Sequence, residues 1–421
     1  MKICIVSQTF APQDEGGAEM SSRHAAYNLA QRHEVVVLAL GLVGGLGVEP
    51  GECASAQRYR VHRVCYHNSY LPEAKRPAVG PVSKALWHAR NAVGAVNEAD
   101  LIRFFTDEKF DLIYAQNCSR MQPALYRAAA KLDIPVCQHL RDYAILCPRT
   151  SMYRSGQNCS TPCASCRVLT LRARQASSTV KTVIAVSDFV RQRYLEHGLY
   201  PDAEWYVLHN TNTARADFDA ALLAARPEPE RGFTIGYLGA LSTEKGVEVL
   251  LQAFCSLPTA LNARLLLAGR GHQDFVDQMR RKVRDAGAED RVEWLGHVPP
   301  HNVFSRSEVI VVPSLWHEPQ GRVLVESAVY GVPTIAARAG GTPEIVEQHK
   351  TGWTYDATDS EALRNLLHKA AENGATTWRA SLADRFPGLS YYSGTAEGSG
   401  YYELLEGILL GATIEAKARK S

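Results

Sequence analysis

Residues 313–326 read PSLWHEPQGRVLVE and form a short loop between an apolar strand and a helix. The preceding residues 308–312, EVIVV, are a short β-branched run without alternation, which is typical of a buried parallel strand. Pro313 ends that strand, and the apolar positions 323, 324 and 328 predict one face of a helix that Gly331 and Pro333 close. Residues 334–337 then predict another strand, so the stretch indicates a strand, loop, helix and strand in succession.

This loop carries two carboxylates, Glu318 and Glu326. A helix N-terminus at the carboxyl end of a parallel strand is a ligand position in α/β proteins, and the free N–H groups of Gly321, Arg322 and Val323 suit a phosphate there. One carboxylate can accept hydrogen bonds from two vicinal hydroxyls, such as those of a sugar or a ribose. The alternative is a solvated acidic pair that the helix dipole favours.

The sequence Glu318-Pro319-Gln320-Gly321, followed by Glu326 and by GGTPE at 340–344, resembles the nucleotide-sugar site of the retaining glycosyltransferases of family 4. That resemblance extends over most of the chain. It implies the GT-B fold, which consists of two doubly wound, Rossmann-like parallel-sheet α/β domains that face a cleft. It also implies an N-terminal acceptor domain over 1–226, a nucleotide-sugar domain over 227–397, and a terminal segment, 398–421, that packs back on the first domain.

Length and composition agree with two domains. A chain of 421 residues with 46% hydrophobic residues exceeds the size at which single cores stop growing. With 46 basic and 44 acidic residues there is no net drive toward nucleic acid. The start, MKICIVSQTF, has no signal-peptide pattern, and the apolar stretch 35–48 is too short and glycine-rich for a membrane span. We expect a cytoplasmic protein, at most in peripheral contact with the inner membrane face.

The N-terminal half offers acceptor-side candidates. Gly16 and Gly17 precede a predicted helix, where adjacent glycines suit close backbone approach to a ligand or a flexible turn equally well. The family's glycine motif borders both donor phosphates and acceptor. Family members commonly have His-Asp at the end of a later strand, where this chain has Arg141-Asp142, with His139 two positions earlier on the same strand face. Arg141 is a candidate cation for a phosphate or acceptor, or a partner of Asp142.

The C-terminal half offers the donor candidates. Lys245 follows the first predicted strand of that domain, and the family usually has Arg then Lys here, both on the donor diphosphate. This chain has Ala240 at the Arg position, and Arg270 or Arg322 could substitute. The resemblance places the nucleobase near Val298. The predicted donor-binding residues are Gly17, Lys245, Val298, Glu318, Gln320, Gly321, Arg322, Val323 and Glu326.

Four of the ten cysteines, Cys147, Cys159, Cys163 and Cys166, lie within one loop-rich stretch. Close-spaced thiolates in a loop suit a structural Zn²⁺ or an iron–sulfur cluster, and four thiolates leave no open catalytic position. The alternative is free cysteines that happen to cluster. A subset of family 4 sequences looks similar in this region.

These features predict a glycosyltransferase that moves a sugar, with retention, from a nucleoside diphosphate sugar, UDP or GDP, to a hydroxyl of a saccharide, a lipid-linked saccharide or a small molecule. The predicted catalytic residues are Glu318, Lys245 and Arg141. Lys245 would stabilise charge on the leaving diphosphate, and Glu318 and Glu326 would position the sugar and the ribose. The resemblance implies no catalytic metal. Two alternatives are a nucleotide-sugar epimerase or hydrolase of the same fold and a non-catalytic nucleotide-sugar-binding protein.

Overall fold

A computed structural model describes residues 1–10, 17–41, 51–54, 58–69, 80–210, 232–388 and 400–418. The chain divides into two compact α/β units. The first comprises Met1–Met152, Cys159–His209 and Gly400–Ser421, and the second comprises Tyr153–Asn158 and Asn210–Ser399. The predicted boundary at 226/227 lies outside the described residues.

The first unit is built on an eight-stranded sheet, parallel except for one edge strand. Its strands are β1 (Lys2–Val6), β2 (Glu34–Gly41), β3 (Gly51–Ala54), β4 (Arg60–Cys65), β5 (Leu112–Ala115), β6 (Val136–Leu140), β9 (Thr182–Ala185) and β10 (Glu204–Val207). Their spatial order is β10-β9-β6-β5-β1-β2-β4-β3, which reverses direction between β1 and β5. The helices are α1 (Gly17–Leu29), α2 (Pro81–Val93), α3 (Glu98–Glu108), α4 (Gln122–Lys131), α5 (Ala164–Ala176) and α6 (Asp188–Leu195). A two-stranded hairpin, β7 (Tyr153–Arg154) and β8 (Gln157–Asn158), interrupts this sequence and belongs to the second unit.

The second unit has a six-stranded sheet that is parallel throughout. Its strands are β11 (Phe233–Leu238), β12 (Ala263–Ala268), β13 (Val292–Gly296), β14 (Val309–Val312), β15 (Thr334–Ala337) and β16 (Gly352–Tyr355), in the order β13-β12-β11-β14-β15-β16. The helices are α7 (Val247–Cys255), α8 (Gln273–Asp285), α9 (His301–Phe304), α10 (Arg322–Val329), α11 (Ser360–Ala371), α12 (Gly374–Ala380) and α13 (Leu382–Arg385). The predicted strand, loop, helix and strand are confirmed as β14, α10 and β15.

The last helix, α14 (Tyr401–Ala418), packs in the first unit. Its buried apolar residues are Tyr401, Leu405, Leu409 and Ala412, and Thr413 is buried beside them. Leu404 lies at helical spacing from Tyr401 and yet is 62% exposed, because the helix turns the 401-405-409-412 row toward the sheet. Among the described residues, no helix is long and apolar enough to cross a membrane.

Candidate functional site

The donor-side candidates gather where the order of the second sheet reverses, between β11 and β14. In open parallel sheets such a switch point leaves a crevice at the carboxyl ends of the strands. Lys245 lies in the loop after β11, and Glu318 lies in the loop after β14. The carbonyl oxygen of Glu244 accepts hydrogen bonds from the N–H groups of Leu315 (2.9 Å) and Trp316 (3.2 Å), so the two loops are fastened together.

Two glycines allow this close approach. A Cβ at Gly246 would lie 1.8 Å from the carbonyl oxygen of Pro313, and one at Gly340 would lie 2.1 Å from the carbonyl oxygen of Glu318. Both glycines have positive φ, +67° and +69°. The neighbouring N–H of Gly341 donates to the same Glu318 oxygen at 2.8 Å. The segment after β15 therefore presses directly against the Glu318 loop, which only a residue without Cβ permits.

Lys245 and Glu318 form an ion pair, with Nζ 2.5 Å from Oε1. The hydroxyl of Ser314 donates to the same oxygen at 2.8 Å, and the ammonium lies 5.1 Å from the ring centre of Trp316. The Glu318 side chain is 8% exposed and that of Lys245 28%. The second oxygen, Oε2, accepts no hydrogen bond from any described residue. The site thus combines a held cation with a carboxylate oxygen that can accept from a ligand hydroxyl.

The start of α10 adds a second polar feature. Gly321 caps the helix with φ +87°. Within the described part of the chain, the N–H groups of Gly321 and Val323 have no hydrogen-bond acceptor, as expected for the first turn of a helix. Glu326 accepts a hydrogen bond from Arg322 at 2.7 Å, so the two predicted donor residues are partners of each other here.

The other donor-side candidates serve the packing of this region. Gln320 is buried, and its Oε1 accepts a hydrogen bond from the backbone N–H of Asn210 at 2.6 Å. Val298 and Val323 pack at the edge of the same apolar cluster. The side chain of Gln320 is therefore engaged within the protein.

The backbone of Arg270, one of the two suggested substitutes for the missing arginine, lies near Ala240. The N–H of Leu241 donates to the carbonyl oxygen of Arg270 at 2.8 Å, which brings the backbone of Arg270 beside the Ala240 loop. The Arg270 side chain is exposed and forms no hydrogen bond or ion pair with any described residue. Arg322 is engaged by Glu326. Of the two substitutes that the sequence suggests, Arg270 is the one with an available guanidinium.

The first unit contains a cavity of about 490 Å³ at its own switch point, beyond the ends of β1 and β5. Its lining includes Gly17, Glu19, Asn117, Arg120 and Asp142. The Glu19 carboxylate is held by hydrogen bonds from the hydroxyl of Thr9 (2.8 Å) and the amide of Asn117 (2.6 Å). Gly16, predicted on the acceptor side, lies outside the described residues.

Asp142 lines this cavity, and its pKa is raised toward neutral pH. Burial raises its pKa to about 6, while a hydrogen bond from the N–H of Ala144 (2.8 Å) opposes the shift and the charge of Glu19 adds to it. Within the described chain Asp142 forms no ion pair, so the proposed pairing with Arg141 is not found. A carboxyl with this pKa can exchange a proton near neutral pH.

Arg141 and His139 lie together behind this cavity. The guanidinium donates to Gln116 Oε1 at 3.1 Å and to the hydroxyl of Tyr401 at 3.5 Å, which joins the end of β6 to α14. His139 is buried, its Nδ1 lies 2.6 Å from the hydroxyl of Tyr114, and burial followed by the charge of Arg141 lowers its pKa well below the usual value. Both side chains make internal contacts, so their predicted acceptor and catalytic roles stay predictions.

The cysteine stretch brings some of its thiols together. The Sγ atoms of Cys163 and Cys166 lie 3.4 Å apart, and burial with the neighbouring thiols of Cys163 and Cys147 raises the pKa of Cys166 to about 12. However, no three Cys, His, Asp or Glu side chains of the described residues are grouped as metal ligands would be. This arrangement does not fit a preformed four-thiolate site, and the metal at Cys147, Cys159, Cys163 and Cys166 stays a prediction.

Sequence reasoning missed one contact of the loop that carries Glu318. The side chain of Asn158, at the end of β8, hydrogen bonds with the backbone of Leu315 and His317 in the Glu318 loop. The Ser-Gly pair at 155–156 is a turn signal that could have identified the hairpin. No local signal identifies its partner, which lies 157 residues away.

Comparisons with known proteins agree with this architecture. Residues 16–211 match the family model described as Glycosyl transferase 4-like domain, and residues 220–385 match the model described as Glycosyl transferases group 1. The chain is 26% identical over 350 residues to an uncharacterized 42.6 kDa protein in the cps region of Klebsiella pneumoniae, covering 82% of this chain and 87% of that protein. It is 29% identical over 153 residues to a D-inositol 3-phosphate glycosyltransferase of Corynebacterium glutamicum, which is 34% of this chain and 36% of that enzyme.

A solved structure supports the fold. The Anabaena protein HepE in complex with UDP and glucose superposes with a TM-score of 0.68 at 21% sequence identity, covering 97% of this chain and 99% of that one. At this identity the likeness establishes the two-domain GT-B fold.

Proposed function

We propose that this chain, a glycosyltransferase of the GT-B fold that carries a glycosyl transferase 4-like domain and a glycosyl transferases group 1 domain, transfers a sugar from a nucleoside diphosphate sugar to an acceptor hydroxyl with retention of configuration. The observation that carries the proposal is the Lys245–Glu318 pair together with the nearby N–H groups of Gly321 and Val323, which have no acceptor among the described residues. These groups supply a cation, hydrogen-bond donors for an anion and an acceptor for sugar hydroxyls in one place.

The diphosphate of the donor would bind Lys245, Arg270 and the first amides of α10. Charge accumulates on the leaving phosphate oxygen in the transition state, and fixed donors aimed at it typically lower the barrier by several kcal/mol, about 10²- to 10³-fold in rate per donor. Glu318 Oε2 would orient the sugar hydroxyls, and Glu326 the ribose. Solved HepE complexes contain UDP and UDP-glucose, and a mannosyltransferase relative is GDP-mannose-dependent, which supports UDP or GDP as the nucleotide.

The acceptor would occupy the cavity in the first unit. Its volume of about 490 Å³ lies within the range of small-molecule sites, and it combines polar groups with the ring of Trp87. Asp142 and the fixed carboxylate of Glu19 can accept hydrogen bonds from acceptor hydroxyls. This mixture suits a saccharide or the saccharide end of a lipid-linked glycan.

Two packed helices support a lipid-linked acceptor and peripheral membrane contact. Neither α2 nor α5 contains an acidic residue, and together they carry Lys84, Arg90, Arg167, Arg172 and Arg174. Large apolar side chains on the same helices are more than half exposed, namely Val82, Leu86, Val93, Val168 and Leu171. Basic residues beside exposed apolar side chains suit the surface of an anionic bilayer. The predicted cytoplasmic location stays a prediction.

A thermal-shift screen with UDP, GDP, TDP and ADP and their common sugars tests the donor. A nucleotide that binds the folded state at 100 times its Kd stabilises it by about 2.7 kcal/mol. The nucleotide sugar of the stabilising series is then incubated with candidate acceptors, and nucleoside diphosphate release and the anomeric configuration of the product are measured by mass spectrometry and NMR.

The expected result is acceptor-dependent release with a retained anomer. Donor conversion without any acceptor would favour the epimerase or hydrolase, an inverted anomer would refute retention, and the absence of a shift with every nucleotide would refute the donor assignment.

A further inference from the structure

The hairpin of β7 and β8 belongs to a different structural unit from the residues that flank it in sequence. The residues before and after it belong to the first unit, whereas Tyr153–Asn158 belong to the second. Its two turn residues, Ser155 and Gly156, have φ values of +51° and +79°, as in the type I′ turn whose twist matches paired strands. Such a turn fixes the pairing of the strands and hence the direction in which Asn158 is presented.

The carboxamide of Asn158 holds the Glu318 loop by two backbone groups. Its Nδ2 donates to the carbonyl oxygen of Leu315 at 2.8 Å, and its Oδ1 accepts from the N–H of His317 at 2.8 Å. A side-chain amide offers a donor and an acceptor at once, and it replaces here the hydrogen bonds that a neighbouring strand would make. Neither a carboxylate nor an aliphatic side chain can make both.

The two backbone groups that Asn158 bonds, in Leu315 and His317, lie next to residues of the candidate site. Trp316, whose ring lies 5.1 Å from the Lys245 ammonium, is the residue between them, and Glu318 is the next residue. On the other strand of the hairpin, burial and the nearby carboxylate of Glu244, which lies in the loop after β11, raise the pKa of Tyr153. The hairpin therefore holds, through Asn158, the loop that carries Glu318.

We propose that Asn158 is a positioning residue that sets the geometry of the Lys245–Glu318 pair through the backbone of Leu315 and His317. The proposal rests on the proposed function for its effect on turnover. A misplacement of about 1 Å at a reacting centre can cost on the order of 10² in rate. Asn158→Ala is accordingly expected to lower kcat for nucleoside diphosphate release about 10- to 100-fold.

The matched control is Gln157→Ala, since Gln157 is the adjacent, exposed residue of the same strand and points to the other face. Hydrogen–deuterium exchange of the 313–321 segment is measured on the same proteins and needs no substrate. The His317 amide should exchange about tenfold faster in Asn158→Ala, because it has lost its side-chain acceptor, and its exchange should be unchanged in Gln157→Ala. Equal exchange and equal kcat in the two variants would overturn the proposal.

A second variant separates positioning from a general loss of folding. In Asn158→Asp the carboxylate can still accept from His317 but faces the carbonyl oxygen of Leu315, whereas the protonated acid can donate to it. The ratio of Asp-variant to wild-type activity should therefore rise as the pH falls toward the ordinary pKa of Asp, about 4. A ratio independent of pH would also overturn the proposal. If wild-type protein accelerates no donor reaction while the exchange data behave as expected, the proposed function fails and the loop contact stands.

Discussion

Replacing Lys245 by Met should lower both the thermal stability of the second unit and its transfer activity, and a double variant should restore only the stability. Among the described residues, the substitution leaves the 8%-exposed Glu318 carboxylate with the Ser314 hydroxyl as its remaining hydrogen-bond donor. Breaking a fully buried ion pair costs about 3–5 kcal/mol, and because the Lys245 side chain is 28% exposed we expect about 2 kcal/mol. For a domain of this size that corresponds to a decrease of about 4–8 °C in the Tm of the second unit.

The double variant Lys245→Met/Glu318→Gln should regain most of this stability, because no uncompensated charge stays buried. Transfer activity should nevertheless fall about 10²- to 10³-fold in both variants, since the cation that faces the leaving phosphate is absent. Differential scanning calorimetry and nucleoside diphosphate release measure the two quantities on the same samples.

The control is Lys282→Met, which removes an exposed pair with Glu248 whose side chains are 46% and 45% exposed. Such pairs are worth about 0–1 kcal/mol, so its Tm and its turnover should match the wild type. If Lys245→Met is as stable and as active as this control, the assignment of the pair as both a buried interaction and the donor site is wrong.

Three further measurements address the rest of the molecule. Burial raises the pKa of Asp142 from 3.8 to about 6, so this carboxyl binds more protons in the folded state between these values, and its contribution to stability falls as pH rises through pH 4–6. Asp142→Asn removes this cost, and its stability relative to wild type in urea unfolding should increase across that window by up to about 3 kcal/mol; a constant difference would contradict the shifted pKa. Gly340→Ala should lower transfer at least tenfold by displacing Glu318, while Gly374→Ala, which has a similar φ of +73° and no atom within 4 Å, should cost only about 1–2 kcal/mol of stability. Elemental analysis should find zinc or iron if the four-cysteine prediction holds, with loss in Cys163→Ser, and metal-free wild type would return these residues to ordinary thiols.

Several features of the site were accessible to sequence reasoning because they depend on local pattern. The β-branched run before Pro313 and the apolar spacing after Gly321 predict β14 and α10, and the carboxyl ends of parallel strands share one edge of the sheet. Lys245 and Glu318 could therefore be assigned to the same edge, although 73 residues separate them.

Other features depend on partners that no local pattern identifies. Arg141 bonds to Tyr401, 260 residues away, and Leu404 is exposed although its spacing fits an apolar stripe. No sequence pattern singles out Asn158, whose role follows only from its hydrogen bonds to the backbone of Leu315 and His317.

The sequence by itself determined the strand and helix periodicity, the two parallel sheets and the loops that carry charge, because these follow from backbone propensity and from which side chains must be buried. Only the tertiary structure decided that, of the two arginines suggested for the diphosphate, Arg322 is paired with Glu326, whereas the exposed Arg270 has no side-chain partner among the described residues. The physical reason is that hydrogen bonds and ion pairs act over about 3–4 Å, so their partners are set by the packing of elements that are distant along the chain.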